Sequence, residues 1–191
     1  SPGHNWTIAP HRHRNLFQIM LVEQGGGMLD LEAESISFEA PVVMLLAPTV
    51  AHGFRFKPKV TEGYVINFTE DVTESLGEQA NVALARLKHI AAQPLMPVAK
   101  PEVARLATLC RDLLEEEFLG REGHEVAMRA MLALIGVEVT RLNVDLDAIE
   151  DRAATDAVDL KPRIRCLLSD SQANPIEIKC KWTKWIVAQQ I

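Results

Sequence analysis

His-Arg-His-Arg-Asn-Leu-Phe-Gln-Ile-Met-Leu-Val, residues 11–22, leads through Gly25-Gly26-Gly27 into a train of short apolar runs. These runs cover 28–32, 35–39, 42–47, 52–57 and 64–68, and Gly, Pro, Thr or charged residues end each of them. Short strands bounded in this way are the sequence form of an antiparallel barrel or sandwich. Within the quoted stretch, Asn15, Phe17, Ile19 and Leu21 share one face, and Leu16, Gln18, Met20 and Val22 the other. Both faces are mainly apolar, so the strand is predicted to lie between an interior and a second packed layer. Val42-Val43-Met44-Leu45-Leu46 has no polar residue, and the same double cover is expected there. Leu29, Leu31, Ile36 and Phe38 alternate with Asp30, Glu32, Ser37 and Glu39, the pattern of strands with one wet face. His52, Phe54 and Phe56 share a parity and are predicted to point to one side. The glycine triplet tolerates positive φ and predicts a hairpin. Trp6-Thr7-Ile8, ahead of Pro10, suits an edge strand.

After Thr69 the apolar period lengthens to three and four. Leu76, Ala80, Ala83, Leu84, Leu87 and Ile90 predict one or two helices. Pro101 then stands in the first turn of an amphipathic helix over 102–119, where an amide without an intrahelical partner is no loss. Its stripe is Val103, Leu106, Ala107, Cys110, Leu113, Leu114 and Phe118, with Arg105, Arg111, Glu115 and Glu116 opposite. Beyond Gly120 and Gly123, residues 125–142 are apolar on nearly every face, and one domain offers a single surface to cover them. A second copy of the chain is therefore expected on the remaining face, with both helices forming the dimer contact. The fold class is α+β: an antiparallel β-barrel over 5–69, a helical region with a dimerising hairpin over 70–145, and a linker and basic tail over 146–191.

A chain of 191 residues can bury a core without staples. The three cysteines, Cys110, Cys166 and Cys180, are odd in number and irregularly spaced, as expected of reduced thiols. No apolar run reaches the roughly twenty residues that span a bilayer, and residues 1–20 carry His, Arg and Pro, so a cytoplasmic protein without membrane contact is expected. The formal charge of −6 is unevenly spread. Six basic residues against two acidic ones give 161–191 a charge of +4, which leaves −10 on the body. An acidic body repels phosphate backbones and argues against nucleic-acid binding by the body itself.

The histidines leave three readings open. His11 and His13 share a face, and a barrel would bring His52 opposite them. Converging imidazoles are the donor set of a mononuclear transition-metal site, but the acid that usually completes one is missing, since Phe17 and Gln18 stand where it is sought. Alternatively, the histidines with Arg12 and Arg14 form the polar lip of a pocket for a small anion, or simply cap the strand start.

The opening at 11–19, the glycine-rich turn and Ala47-Pro48-Thr49-Val50-Ala51-His52-Gly53-Phe54-Arg55-Phe56 resemble the amino-terminal cupin domain of AraC-type transcriptional regulators. The branch that responds to small aromatic acids such as hydroxybenzoates is the most similar, and the resemblance covers about residues 5–145. Pro48-Thr49-Val50 departs from the family's Pro-x-Gly, and Ala40-Pro41-Val42 from its Pro-Gly-Asp. The resemblance implies a cupin-like barrel that senses an effector and has no catalytic residues or cofactor. Arg12, His13, His52 or Tyr64 would meet the effector's polar group, with Phe17, Met44, Leu46, Phe54 and Phe56 around it. It also implies DNA contact through a helix-turn-helix domain, which residues 143–191 do not show. The runner-up is a small metal-dependent cupin enzyme, dioxygenase- or isomerase-like, with a divalent transition metal on His11, His13 and His52.

Overall fold

A computed structural model describes residues 6–32, 34–69, 72, 86–87, 95–153 and 176–179, and shows an α+β protein of two antiparallel sheets and two long helices. The strands are β1 (Thr7–His11), β2 (Leu16–Gln24), β3 (Gly26–Leu31), β4 (Ser35–Glu39), β5 (Val42–Leu46), β6 (His52–Phe56), β7 (Glu62–Thr69), β8 (Leu95–Pro97) and β9 (Ile176–Lys179). The helices are α1 (Lys100–Leu119) and α2 (His124–Ala153). Of the helices expected from Leu76 to Ile90 only Arg86 and Leu87 are among the described residues, and both are helical, as is Val72 ahead of them.

One sheet has the order β1-β6-β3-β4, and the other β8-β5-β2-β7-β9. Among the described residues the strands thus make two separate sheets, where a closed barrel was expected. The glycine triplet is likewise not a hairpin: β2 and β3 belong to different sheets, and the chain turns a corner between them. Gly25 has φ +81°, and a Cβ there would come within 2.6 Å of Thr61 Cα and Val60 O. Gly26 N–H donates to Thr61 Oγ1 (3.2 Å), which holds the corner against the start of β7. Local sequence signalled the positive φ but not which strand the chain would next pair with.

Two apolar layers follow from strand parity. Between the sheets lie Met20, Val22, Leu29, Phe38, Val42, Met44, Leu46, Phe54, Phe56 and Val65. The other face of the five-stranded sheet, with Phe17, Ile19, Leu21, Val43, Leu45, Tyr64, Ile66 and Phe68, packs under α1 and α2. The helices answer with Leu106, Cys110, Leu113, Met128, Leu132, Ile135 and Val139. Every residue of β5 is buried, as its unbroken apolar run predicts. The outer face of the four-stranded sheet is wet, and there Arg55 holds Asp30 through Nε (2.9 Å) and Nη2 (2.6 Å). β1 is an edge strand whose pairing with β6 slips between Ile8 and His11, where Pro10 has no amide to offer the ladder.

Pro101 sits in the first turn of α1, and Gly120, with φ 54°, ends the helix by donating its N–H to Glu116 O (3.1 Å). Glu138 on α2 accepts from Arg105 on α1 and from Arg141, both at 2.8 Å, and so ties the two helices together. α2 runs on past 142 to Ala153, and Ile176–Lys179 pairs antiparallel with β7, so regular structure enters the region read as linker and tail. No helix among the described residues is long and apolar enough to cross a membrane. Burial pushes the Cys110 thiol up to about 12, which keeps it protonated and inert.

Candidate functional site

Gln18, Thr49, His52 and Asn67, four of the buried polar residues, gather at one end of the sandwich. There β1 passes to β2 and β5 passes to β6, and Thr49 N–H in the second passage donates to His13 O in the first (2.6 Å). Thr49 holds φ 73°, a conformation that costs a β-branched residue about 1–3 kcal/mol. The surrounding structure fixes it, since Thr49 is itself buried. This loop sets the position of His13 relative to the strand that begins at His52.

His11 and His52 are direct cross-strand partners on β1 and β6. Their ring centroids are 4.6 Å apart, His11 and His13 are at 4.9 Å, and His13 and His52 at 5.7 Å. The rings are mutually inclined by 48–82°, so the three imidazoles converge without stacking. One ligand nitrogen from each lies within 4.8 Å of the others. His11 and His13 are half-buried, whereas His52 is 2% exposed.

A carbonyl oxygen can only accept, so a histidine nitrogen facing one must carry the proton. His52 Nδ1–H donates to Val50 O (2.8 Å) and His11 Nδ1–H to Ala9 O (3.0 Å). In the neutral form, Nε2 of each ring is then a lone pair. His52 Nε2 is buried and has no hydrogen-bond partner. Burial, above all, pushes the pKa of His52 down to about 4, the Val50 hydrogen bond opposing the shift and the neighbouring His11 and His13 adding smaller shares to it.

A second orphan stands at the same end. Gln18 and Asn67 are cross-strand partners on β2 and β7, and they share the interior-facing parity of Met20 and Val65. They are 7% and 3% exposed. Gln18 Nε2 donates to Asn67 Oδ1 (2.9 Å), and Gln18 Oε1 is buried with no partner. Buried polar groups are nearly always satisfied, and an unmade bond costs about 1–3 kcal/mol, so each of these two atoms calls for a partner, a water or a ligand, beyond the described side chains. Both are acceptors. They call for a hydroxyl, an N–H or a cation, and a carboxylate cannot satisfy either.

Of the residues singled out from sequence, the interior holds His52, Phe54, Phe56, Met44 and Leu46, with His11 and His13 at its rim. Phe54 and Phe56 stack at 5.3 Å, and His52 meets the edge of Phe54 at 5.8 Å. Phe17 and Tyr64 do not belong to this site. They pack in the helix-side layer, because Phe17 shares the parity of Ile19 and Leu21, and Tyr64 is the cross-strand partner of Leu21. Arg12 is exposed and lies 3.9 Å from Glu32, outside the interior. Gln18 and Asn67 are the residues that sequence reasoning missed. The available signal was their polarity: each stands alone among apolar neighbours in a strand with two covered faces.

No protein-family model matches the chain, and no curated protein matches it either.

The burial of neutral His52 has a testable consequence. Its folded pKa lies below its unfolded one, so the unfolded chain binds the extra proton between pH 6.5 and about 4, and stability falls as pH falls through that window. Urea unfolding of the metal-free protein is expected to show about 2 kcal/mol less stability at pH 5 than at pH 7. His52→Gln removes most of that difference. The Asp30–Arg55 pair acts in a different window, since it loses its contribution only as pH falls below 3.8.

Proposed function

We propose that this chain is the effector-binding and dimerising part of an AraC-type transcriptional regulator, with a cupin-like sandwich that senses a small aromatic acid. The observation that carries the sensing role is the pair of buried orphan acceptors, Gln18 Oε1 and His52 Nε2, at the end of an interior walled by Met44, Leu46, Phe54 and Phe56. A flat apolar ligand with a hydroxyl donor, such as 4-hydroxybenzoate, fits that combination. Its ring lies against the aromatic wall and its hydroxyl donates to Gln18 Oε1.

The route from ligand to output is short. Gln18 and Met20 face the interior, while Phe17, Ile19 and Leu21 on the same strand face the helices. A ligand that changes how β2 sits against β7 changes the surface on which α1 and α2 rest. It shifts the equilibrium by its differential affinity for the two arrangements, and the helices carry that preference to an attached DNA-binding domain. The chain acts in this account by binding and not by catalysis.

The helices also support the second copy. Phe118 and Val126, 86% and 73% exposed, flank the turn between α1 and α2, and Leu134 stands exposed two turns beyond Val126. An apolar strip of this kind on a helical hairpin is suited to a two-fold contact with itself.

Isothermal titration tests the ligand class. Gln18→Leu is expected to weaken 4-hydroxybenzoate about tenfold while leaving benzoate nearly unchanged, because only the hydroxyl loses its partner. Equal loss for both acids, or none for either, contradicts the assignment of Gln18. In sedimentation velocity the protein is expected to run as a dimer, and Val126→Glu with Leu134→Glu as a folded monomer; a monomeric parent protein removes the dimer from the account.

A further inference from the structure

We propose that the outer edge of β7, over Val65–Phe68, is an acceptor site for a short extended strand, and that Ile176–Lys179 is its exchangeable occupant. The acceptor side is fixed by the sheet. β2 pairs with β7 along its whole length and takes alternate amides and carbonyls of Val65–Phe68, so the others face away from β2. Val65, Ile66, Asn67 and Phe68 are all buried, and buried backbone groups need partners. Strands that end a sheet in water are blunted by proline, by charge or by shortness. Of the described edge strands, β1 contains Pro10, β8 is three residues long and contains Pro97, and β4 shows Ser35, Ser37 and Glu39 to solvent. Val65-Ile66-Asn67-Phe68 has neither proline nor charge. It is composed as a central strand, with a place for a neighbour on either side.

The occupant is short and arrives from far along the chain. Ile176–Lys179 fills the edge in four antiparallel rungs, Val65 with Lys179, Ile66 with Ile178, Asn67 with Glu177 and Phe68 with Ile176. It is tethered through residues 154–175 to α2, which ends at Ala153. So short a strand offers few bonds against the backbone entropy lost on docking, and the docked and undocked forms lie close in free energy. Such an element opens at far lower cost than the core strands. Recognition runs through the backbone, so a free segment of the same sequence can take the same place.

The rung at Asn67 gives docking a reach into the interior. Asn67 pairs with Gln18 on one side and with Glu177 on the other, and its Oδ1 accepts from Gln18 Nε2 (2.9 Å). Undocking leaves Asn67 on a sheet edge, and the carboxamide that orients Gln18 then loses its fixed backbone. The tail strand thus acts on Gln18 through Asn67.

Hydrogen exchange of the full chain tests the site. Successive amides of a strand point to opposite edges, so replacing both Glu177 and Ile178 by proline removes one amide from the ladder whichever of them faces β7. That variant is expected to exchange alternate amides of Val65–Phe68 faster by about tenfold or more, with β2 and β5 unchanged and the Gln18 side-chain amide resonances shifted. A peptide of residues 174–179, added in excess, is expected to reverse both effects. Ile176→Gly with Ile178→Gly keeps the amides but weakens the strand, and is expected to act in the same direction should the proline variant not fold. Unchanged exchange over Val65–Phe68 in a folded variant overturns the acceptor site, and protection that the peptide does not restore overturns the exchangeable occupant. Gln18 resonances that stay in place while the edge of β7 opens overturn the link to the interior. All three readouts are taken without an effector, so their outcome is independent of the ligand.

Discussion

The structure depends on β2 being buried on both faces. Its even-numbered side chains, Gln18, Met20 and Val22, enter the space between the sheets, and its odd-numbered ones, Phe17, Ile19 and Leu21, enter the layer under α1 and α2. No water-facing side remains to absorb a change, so a displacement on one face must be accommodated by packing on the other. A single strand is thus both a wall of the interior and the seat of the helices. β5 and β7, its neighbours on either side, share the arrangement. Chemistry at the interior end and geometry at the helical surface are therefore linked by the width of one sheet.

The interior is otherwise apolar, which gives its few polar atoms their weight. Among these apolar side chains, Gln18 Oε1 and His52 Nε2 each present a lone pair without a partner among the described residues. At these two atoms a donor or a cation is favoured and a carboxylate is not. The clustered histidines and arginines of residues 11–14 suggest a receptor for an acid, and at the level of charge alone that is sound. The tautomers change the conclusion, because a neutral imidazole whose proton is already given to a carbonyl has nothing to offer a carboxylate. Arg12, the cation expected to meet the acid, lies on the surface near Glu32.

Much of the fold was legible because parity is a local property. The two-faced burial of 16–22 and 42–46, the common side of His52, Phe54 and Phe56, and the span of α1 all follow from residues within one or two turns of each other. Pairing between distant segments was not legible. Nothing in Gly25-Gly26-Gly27 tells a hairpin from a corner between sheets, and nothing in Ile176–Lys179 announces that it will lie beside β7. The site followed the same division. Convergence of His11, His13 and His52 follows in the sequence from parity and an expected barrel, whereas the structure achieves it through the pairing of β1 with β6. Parity alone does not tell which face of a doubly covered strand looks inward, so the sequence could not exclude Phe17 and Tyr64, which pack on the helix side, or single out Gln18 as more than a replacement for a missing acidic ligand.

The protonation of the buried imidazole is the point on which stability and the proposed sensing role meet, and long-range proton–nitrogen correlation spectroscopy of histidine-labelled protein reads it directly. At pH 7, His52 is expected as the neutral Nδ1–H tautomer with an unprotonated Nε2, whose resonance moves when a donor ligand is added. A His52 that is an imidazolium, or that carries its proton on Nε2, would contradict the account, because the interior would then present a donor where an acceptor is required.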